Sequence, residues 1–215
     1  MEKTCILCDF DGTISKKDAI YYFFKTHCSD GWQKVENLWL EKKIDSKECL
    51  EREFELVPNL SQDLIDNYLK SVEIDENFKT FFDICKKSKI DIFIVSDGIK
   101  YFIEKILEFH GINGIKIYSN HAEFVNGKYE FSYPYESSNC INNLGTCKCE
   151  VLNRMKKIYD KTIYVGDGVS DYCVAGKSDI LFAKSSLIDF CEKNDINYIR
   201  YNTFADIKDG LFANC

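Results

Sequence analysis

The apolar run from Thr4 to Cys8 stops abruptly at Asp9-Phe10-Asp11-Gly12-Thr13, where Gly12 permits a tight turn. The pattern predicts a buried strand that runs into a polar loop. The same design recurs twice. Asp91-Ile92-Phe93-Ile94-Val95 ends in Ser96-Asp97-Gly98, and Thr162-Ile163-Tyr164-Val165 ends in Gly166-Asp167-Gly168. A helical pattern follows each. Strands without a polar face, alternating with helices, predict an α/β fold: a Rossmann-like parallel sheet with helices on both faces, binding ligands beyond the carboxyl ends of its strands. All three polar clusters lie at that edge.

Between Asp18 and about Lys87 no strand pattern appears, while apolar sets such as Ile20, Phe23, Phe24 and Leu50, Phe54, Val57 recur at helical spacing. They predict a small helical bundle inserted after the first strand, with Ser61 and Asp75 as helix N-caps and Pro58 as a break. The expected division is a catalytic core of residues 1–15 and 76–215 and a helical cap of residues 16–75 that roofs the strand ends. Further on, partial alternation from His121 to Val125 and from Lys128 to Tyr133 flanks Asn126-Gly127, which predicts a β-hairpin. Ile180–Ala183 and Asn197–Ile199 read as two more strands.

Composition narrows the class of protein. The 215 residues are 45% hydrophobic and 14% aromatic with 2 prolines, so ordered structure is expected nearly throughout. The net charge of −7 and the absence of any dense Lys/Arg run argue against a nucleic-acid partner. The N-terminal apolar run is too short for a signal peptide and no segment suits a bilayer, so the expectation is a cytoplasmic protein without a membrane partner. Eleven cysteines, scattered through apolar segments such as Ile84-Cys85 and Phe190-Cys191, read as reduced thiols. No residue pattern sets an oligomeric state.

The chemistry concentrates in the polar clusters. Asp9 and Asp11 leave one buried strand two residues apart, so their side chains point the same way if the chain stays extended. One carboxylate can attack while the other moves protons. A carboxylate that attacks a phosphate needs a cation to offset charge repulsion, and Mg²⁺, which takes hard oxygen ligands, suits Asp9, Asp11 and Asp167, with one of them offering its backbone carbonyl.

The ordered set Asp-Phe-Asp-Gly-Thr, Val-Ser-Asp-Gly, a lysine at Lys148 and Val-Gly-Asp-Gly-Val-Ser-Asp resembles the phosphatases of the haloacid dehalogenase superfamily over nearly the whole chain. The resemblance implies hydrolysis of a small phosphorylated metabolite through an aspartyl phosphate. Asp9 matches the nucleophile and Asp11 the acid that protonates the leaving oxygen and then activates water. Ser96 matches the hydroxyl that holds a phosphoryl oxygen, Lys148 the ammonium on phosphate and nucleophile, Asp167 a metal ligand, and Asp171 the residue that supports the metal site. Gly12, Thr13, Asp97 and Gly98 fall around the phosphate, where the backbone amides of Asp11 to Thr13 would help neutralise charge. Ser96 is equally suited to cap the next helix.

The cap position is that of phosphoserine phosphatases, and Asp18 and Arg52 match the positions that hold the amino acid there. Ile117 to Phe124 and Leu144-Gly145-Thr146-Cys147-Lys148 resemble a narrower group, the 2-hydroxy-3-keto-5-methylthiopentenyl-1-phosphate phosphatases of methionine salvage. Asp97 stands where many relatives carry Gly; it favours a cationic substrate or caps the next helix, and it keeps phosphocholine and phosphoethanolamine open beside phosphoserine. A non-hydrolytic phosphate-binding or phosphotransfer protein is the other class. Cys140, Cys147 and Cys149, with His121, lack a paired Cys-x-x-Cys hook and read as free thiols near Lys148, with metal binding left open.

Overall fold

Strand β1 (Thr4–Cys8) owes its central place to having two apolar faces: Ile6 and Cys8 enter one buried cluster, Cys5 and Leu7 the other. In the computed structural model, which describes residues 2–140 and 144–212, it is followed by helices α1 (Ala19–His27), α2 (Trp32–Leu40), α3 (Ser46–Glu55), α4 (Gln62–Leu69) and α5 (Phe78–Lys87). Next come β2 (Asp91–Ile99), α6 (Lys100–Phe109), β3 (Lys116–Val125) and β4 (Lys128–Ser132). The rest is α7 (Lys148–Met155), β5 (Lys161–Gly166), a 3₁₀ turn at Val169–Asp171, β6 (Ile180–Ala183), α8 (Ser185–Lys193), β7 (Ile199–Arg200) and α9 (Phe204–Phe212).

The seven strands order as β4-β3-β2-β1-β5-β6-β7, and every neighbouring pair is parallel except β3 and β4. The chain winds to one side of β1 through β2 and β3, then to the other through β5, β6 and β7. That reversal opens a crevice beyond the carboxyl end of β1, where α/β sheets bind ligands. Among the described residues no helix is long and apolar enough to cross a membrane.

Local signals explain most element ends. Asp18 caps α1 by accepting from the Tyr21 amide at 2.8 Å, and Ser61 caps α4 by accepting from Leu64 at 3.2 Å. Asn126 and Gly127 have φ of 50° and 80°, the two positive values a tight hairpin turn requires. Two expectations need correction. Asp75 is not an N-cap; Asn77 holds that place for α5, and Asp75 instead accepts from the amides of Asn77 and, across 129 residues, Phe204 at the start of α9. The second strand does not end before Ser96. It continues to Ile99 across a shift in register between Val95 and Ile99, so neither Ser96 nor Asp97 caps α6.

Helices α1 to α4 bury Phe23, Phe24, Trp32, Leu50, Phe54 and Ile65 in the same cluster that takes Ile99 and Phe102 from the body. The hairpin closes this roof from the side. Phe54 of α3 meets Tyr129 and Phe131 with ring centroids 5.0 and 5.5 Å apart, Tyr133 donates to Glu51 at 2.8 Å, and Lys47 pairs with Glu136 at 2.8 Å. Truncating Phe54 therefore removes the ring at which roof, hairpin and body meet. Phe54→Ala is expected to cost about 3–4 kcal/mol in denaturant unfolding; a loss below about 1 kcal/mol would show that the three parts do not share one core.

Candidate active site

The backbone ladder fixes Asp9. Its amide donates to the Val165 carbonyl at 2.9 Å, one step past the end of β1, and its buried side chain reaches the crevice floor. Lys148, the first residue of α7, arrives from behind and is fully buried. Its Nζ lies 2.8 Å from Asp9 Oδ1, 2.7 Å from Asp171 Oδ1 and 2.8 Å from Ser170 Oγ, three acceptors for three N–H donors. Burial by itself would lower this ammonium's pKa; Asp171 and Asp9 reverse that and hold it above the ordinary value, so it stays charged.

Asp171 is saturated. Oδ1 also accepts from the Tyr164 hydroxyl at 2.7 Å, while Oδ2 accepts from the amides of Asp167 and Gly168 at 2.9 and 3.1 Å. It therefore positions Lys148 and the loop that carries Asp167. Asp167 in turn accepts from the Thr13 hydroxyl at 2.9 Å, and burial followed by the charge of Asp171 pushes its carboxyl up to about 6. Gly12, at φ 74°, passes so close that an added Cβ would stand 2.5 Å from Asp167 Oδ2. Only glycine fits there. The carboxylates of Asp9, Asp167 and Asp171 bring ligand atoms within 4.8 Å of one another. With Asp171 fully engaged, Asp9 and Asp167 each keep one carboxylate oxygen that these bonds do not use.

Asp11 points away from this trio. Its Oδ1 accepts from the Ala19 amide at the start of α1 at 2.7 Å, and burial, then the neighbouring Asp18 carboxylate, raise its pKa well above the usual carboxylate range. Its side chain is therefore not among the carboxylates that converge at the floor. Ser96 is buried and its Oγ accepts from the Gly98 amide at 2.9 Å. Asp97 Oδ1 accepts from the Thr146 amide at 2.9 Å and from Asn120 at 3.1 Å, and Thr146 donates its hydroxyl to Asn120 at 3.0 Å. These bonds pin the loop that presents Lys148.

A cavity of about 390 Å³ opens above the trio, between the strand ends and helices α1, α2 and α3. Asp9, Asp11, Gly12, Asp18, Ser96, Asp97, Gly98 and Asp167 line it; Lys148 and Asp171 lie behind its floor. Thr13 and Arg52 fall outside it. Thr13 acts on Asp167, and its amide is spent on the Phe10 carbonyl at 3.2 Å, so it offers phosphate no free donor. Arg52 lies on the exposed side of α3 in an ion pair with Glu48, one residue turned away from the wall formed by Cys49, Leu50 and Glu53. Cys149 donates to the Cys173 carbonyl at 2.7 Å. Among the described residues neither Cys140, Cys147 nor Cys149 joins a group with converging metal-ligand atoms. Sequence reasoning missed Ser170, Tyr164 and the pair Glu36 and Glu53, which also line or support the site.

Residues 4–185 match the family model described as Putative Phosphatase. The chain belongs to that family. The match covers both carboxylates after β1, Ser96, Lys148 and the Asp167 loop, and it makes this family member a phosphatase of the haloacid dehalogenase type. It is 34% identical over 211 residues to a protein of Bacillus pumilus (strain SAFR-032) named 2-hydroxy-3-keto-5-methylthiopentenyl-1-phosphate phosphatase, covering 97% of this chain and 90% of that one. A Bacillus cereus (strain AH820) protein of the same name is 29% identical over 208 residues, covering 96% and 94%. Among solved structures, a phospho-aspartyl intermediate analogue of phosphoserine phosphatase superposes with TM-score 0.71 at 19% identity, covering 98% of this chain and 99% of that one. A haloacid dehalogenase family hydrolase of Salmonella enterica subsp. enterica serovar Typhi superposes with TM-score 0.76 at 15% identity, covering 98% and 71%. These two likenesses establish the fold.

The raised carboxyl of Asp167 has a cost in this phosphatase. The folded chain binds that proton more tightly than the unfolded chain, whose carboxyls titrate near 3.9, so stability falls as pH rises from about 4 to about 6 and the full penalty remains above. Asp167→Asn keeps an acceptor for Thr13 and removes the charge. The metal-free variant is expected to gain about 1–2 kcal/mol over the parent at pH 7.5, with the gain shrinking toward pH 4.5. Denaturant titrations at the two pH values measure it, and a variant less stable at pH 7.5 would contradict the account.

Proposed function

We propose that the protein is a Mg²⁺-dependent phosphomonoesterase that forms an aspartyl phosphate on Asp9. The observation that carries this reading is the Asp9 carboxylate on the cavity floor, 2.8 Å from a buried Lys148 ammonium, with the Asp11 carboxyl, raised above the usual carboxylate range by burial, in the same cavity. The donor set at the floor is all oxygen and fits Mg²⁺: the carboxylates of Asp9 and Asp167 would hold it, and the backbone carbonyl of Asp11, the next residue but one along the chain from Asp9, would complete the protein's share. When bound, the cation would offset the repulsion between carboxylates and phosphate.

In this reading Asp9 attacks phosphorus, the bond to the ester oxygen breaks, and Asp11 gives that oxygen its proton so that a neutral alcohol leaves. Asp11, now ionised, takes a proton from water; the hydroxide displaces Asp9 and Asp11 is again protonated. Lys148 holds the nucleophile from behind the floor, and the Ser96 hydroxyl, which lines the cavity, binds a phosphoryl oxygen. Helices within residues 16–75 act as the cap that keeps bulk water out. The ten free thiols among the described residues suit a reducing cytoplasm.

For the substrate we propose 2-hydroxy-3-keto-5-methylthiopentenyl-1-phosphate, the compound named for the relatives. Tyr21, Phe24, Trp39, Leu50 and Leu144 give the cavity apolar walls that fit a methylthioalkyl tail. Phosphoserine fits less well, because Arg52, the residue expected to hold its carboxylate, pairs with Glu48 outside the cavity.

Phosphate release from this compound is expected to require Mg²⁺ and to stop on chelation. Asp9→Asn should lose at least about 10³-fold in kcat while the far-UV spectrum stays unchanged. Asp11→Asn should lose roughly 10²–10⁴-fold, because both half-reactions use that carboxyl. Turnover by Asp9→Asn near the parental rate would refute the nucleophile.

A further inference from the structure

The cavity above Asp9 is lined by no Lys, Arg or His among the described residues. Beyond the floor it presents Asp18 and Asp97, and at the roof Glu36 of α2 and Glu53 of α3. Glu53 is 4% exposed and its Oε1 has no hydrogen-bond partner, an expensive state for a carboxyl walled by Phe24, Cys49 and Leu50. Glu36, Cys49 and Glu53 bring ligand atoms within 4.8 Å of one another, and the Cys49 thiol lies 3.9 Å from Glu36 Oε2. Burial first and Glu36 second push Glu53 up to about 9, so at neutral pH the two glutamates share a proton.

Opposite charge is at hand on α3 and is turned away. Arg52, adjacent in sequence, engages Glu48 on the exposed side, and Lys47 reaches out to Glu136. An unpartnered carboxyl oxygen at the far end of a substrate cavity, with the neighbouring cations directed outward, is a site that lacks its ligand's half of the hydrogen bonds.

We propose that Glu53, with Glu36 beside it, reads the leaving group: the cavity selects esters whose alcohol carries a hydrogen-bond donor and no negative charge, and rejects alcohols that carry a carboxylate. The donor is a hydroxyl or an ammonium. A hydroxyl beside a ketone suits the pair with its shared proton, since the hydroxyl donates to one carboxyl and the ketone accepts from the other; an ammonium suits it ionised. A carboxylate meets the negative charge that the pair retains and finds no cation in the wall. The inference rests on the phosphatase reading and adds what selects the substrate.

A matched series tests it: ethyl phosphate, 2-hydroxyethyl phosphate, phosphoethanolamine and phosphoserine, each compared by kcat/KM with p-nitrophenyl phosphate in the intact protein with Mg²⁺. The hydroxyl or ammonium ester is expected to exceed ethyl phosphate by roughly tenfold or more, and phosphoserine to fall at least about tenfold below phosphoethanolamine. Whichever donor leads identifies the protonation state in which the pair binds. In Glu53→Gln, which keeps the shape, the donor advantage should shrink by roughly tenfold and the phosphoserine penalty should relax. These are ratios within one protein, so a partial loss of folding cancels. Flat ratios in the parent, or ratios unmoved by Glu53→Gln, overturn the inference while leaving the phosphatase reading intact; failure to hydrolyse p-nitrophenyl phosphate sinks both. A metal ion retained by the parent and lost in Glu53→Gln would also overturn it, because the pair would then be a metal site.

Discussion

The Lys148 ammonium, held without exposure between Asp9 and Asp171, is the interaction on which the rest of the site depends. A buried ion is stable only when its partners are in place, and removing one partner of such a pair typically costs about 3–5 kcal/mol. The fold supplies these partners from three separate stretches of chain. Asp9 comes from the end of β1, Asp171 from the turn after β5, and Lys148 from the start of α7. Each is then fixed by further bonds: Asp9 by the ladder to Val165, Asp171 by Tyr164 and two amides, and the loop before Lys148 by Asp97, Asn120 and Thr146. Gly145 belongs to the same arrangement, because an added Cβ there would stand 2.6 Å from both Asn120 and Tyr133.

One ammonium does not balance the acids around it. Asp11 and Asp167 titrate above the ordinary carboxylate range because burial and like charge act together, and those same shifts prepare them for work. Under the proposed chemistry a carboxyl with a raised pKa is the better proton donor, and a crowded carboxylate is the better partner for a cation. The chain thus gives up stability at the strand ends and recovers it in the two apolar layers on either side of β1.

Much of this was readable from the residues alone, for definite reasons. β1 is bounded by the change from apolar to acidic residues, and the hairpin by Asn126-Gly127, two residues that tolerate positive φ. The end of β2 was not readable, because a register shift lets the strand continue through polar Ser96 and Asp97. Nor was the role of Thr13, whose hydroxyl meets a partner 154 residues away. Arg52 and Glu53 are more instructive. Cys49, Leu50 and Phe54 mark the buried stripe of α3, and helical spacing puts position 53 on that stripe and position 52 off it. The likeness to phosphoserine phosphatases led to the arginine, and the glutamate, although it sits on the buried face, was passed over because a lone acidic residue on an apolar stripe carries no motif.

The hairpin explains why the α3 wall can be so exact a part of the cavity. A roof of short helices joined to the body only by its two chain connections would wander relative to the strand ends, and a side chain on it would carry little discrimination. Here Phe54 is clasped by Tyr129 and Phe131, Tyr133 reaches Glu51, and Ser46 at the start of α3 accepts from the Gly145 amide of the loop that presents Lys148. The helix that carries Glu53 and the loop that carries Lys148 are therefore fixed to each other through one hydrogen bond and one hairpin. The two ends of the cavity, the carboxylate floor at the strand ends and the wall formed by α3, share a common frame.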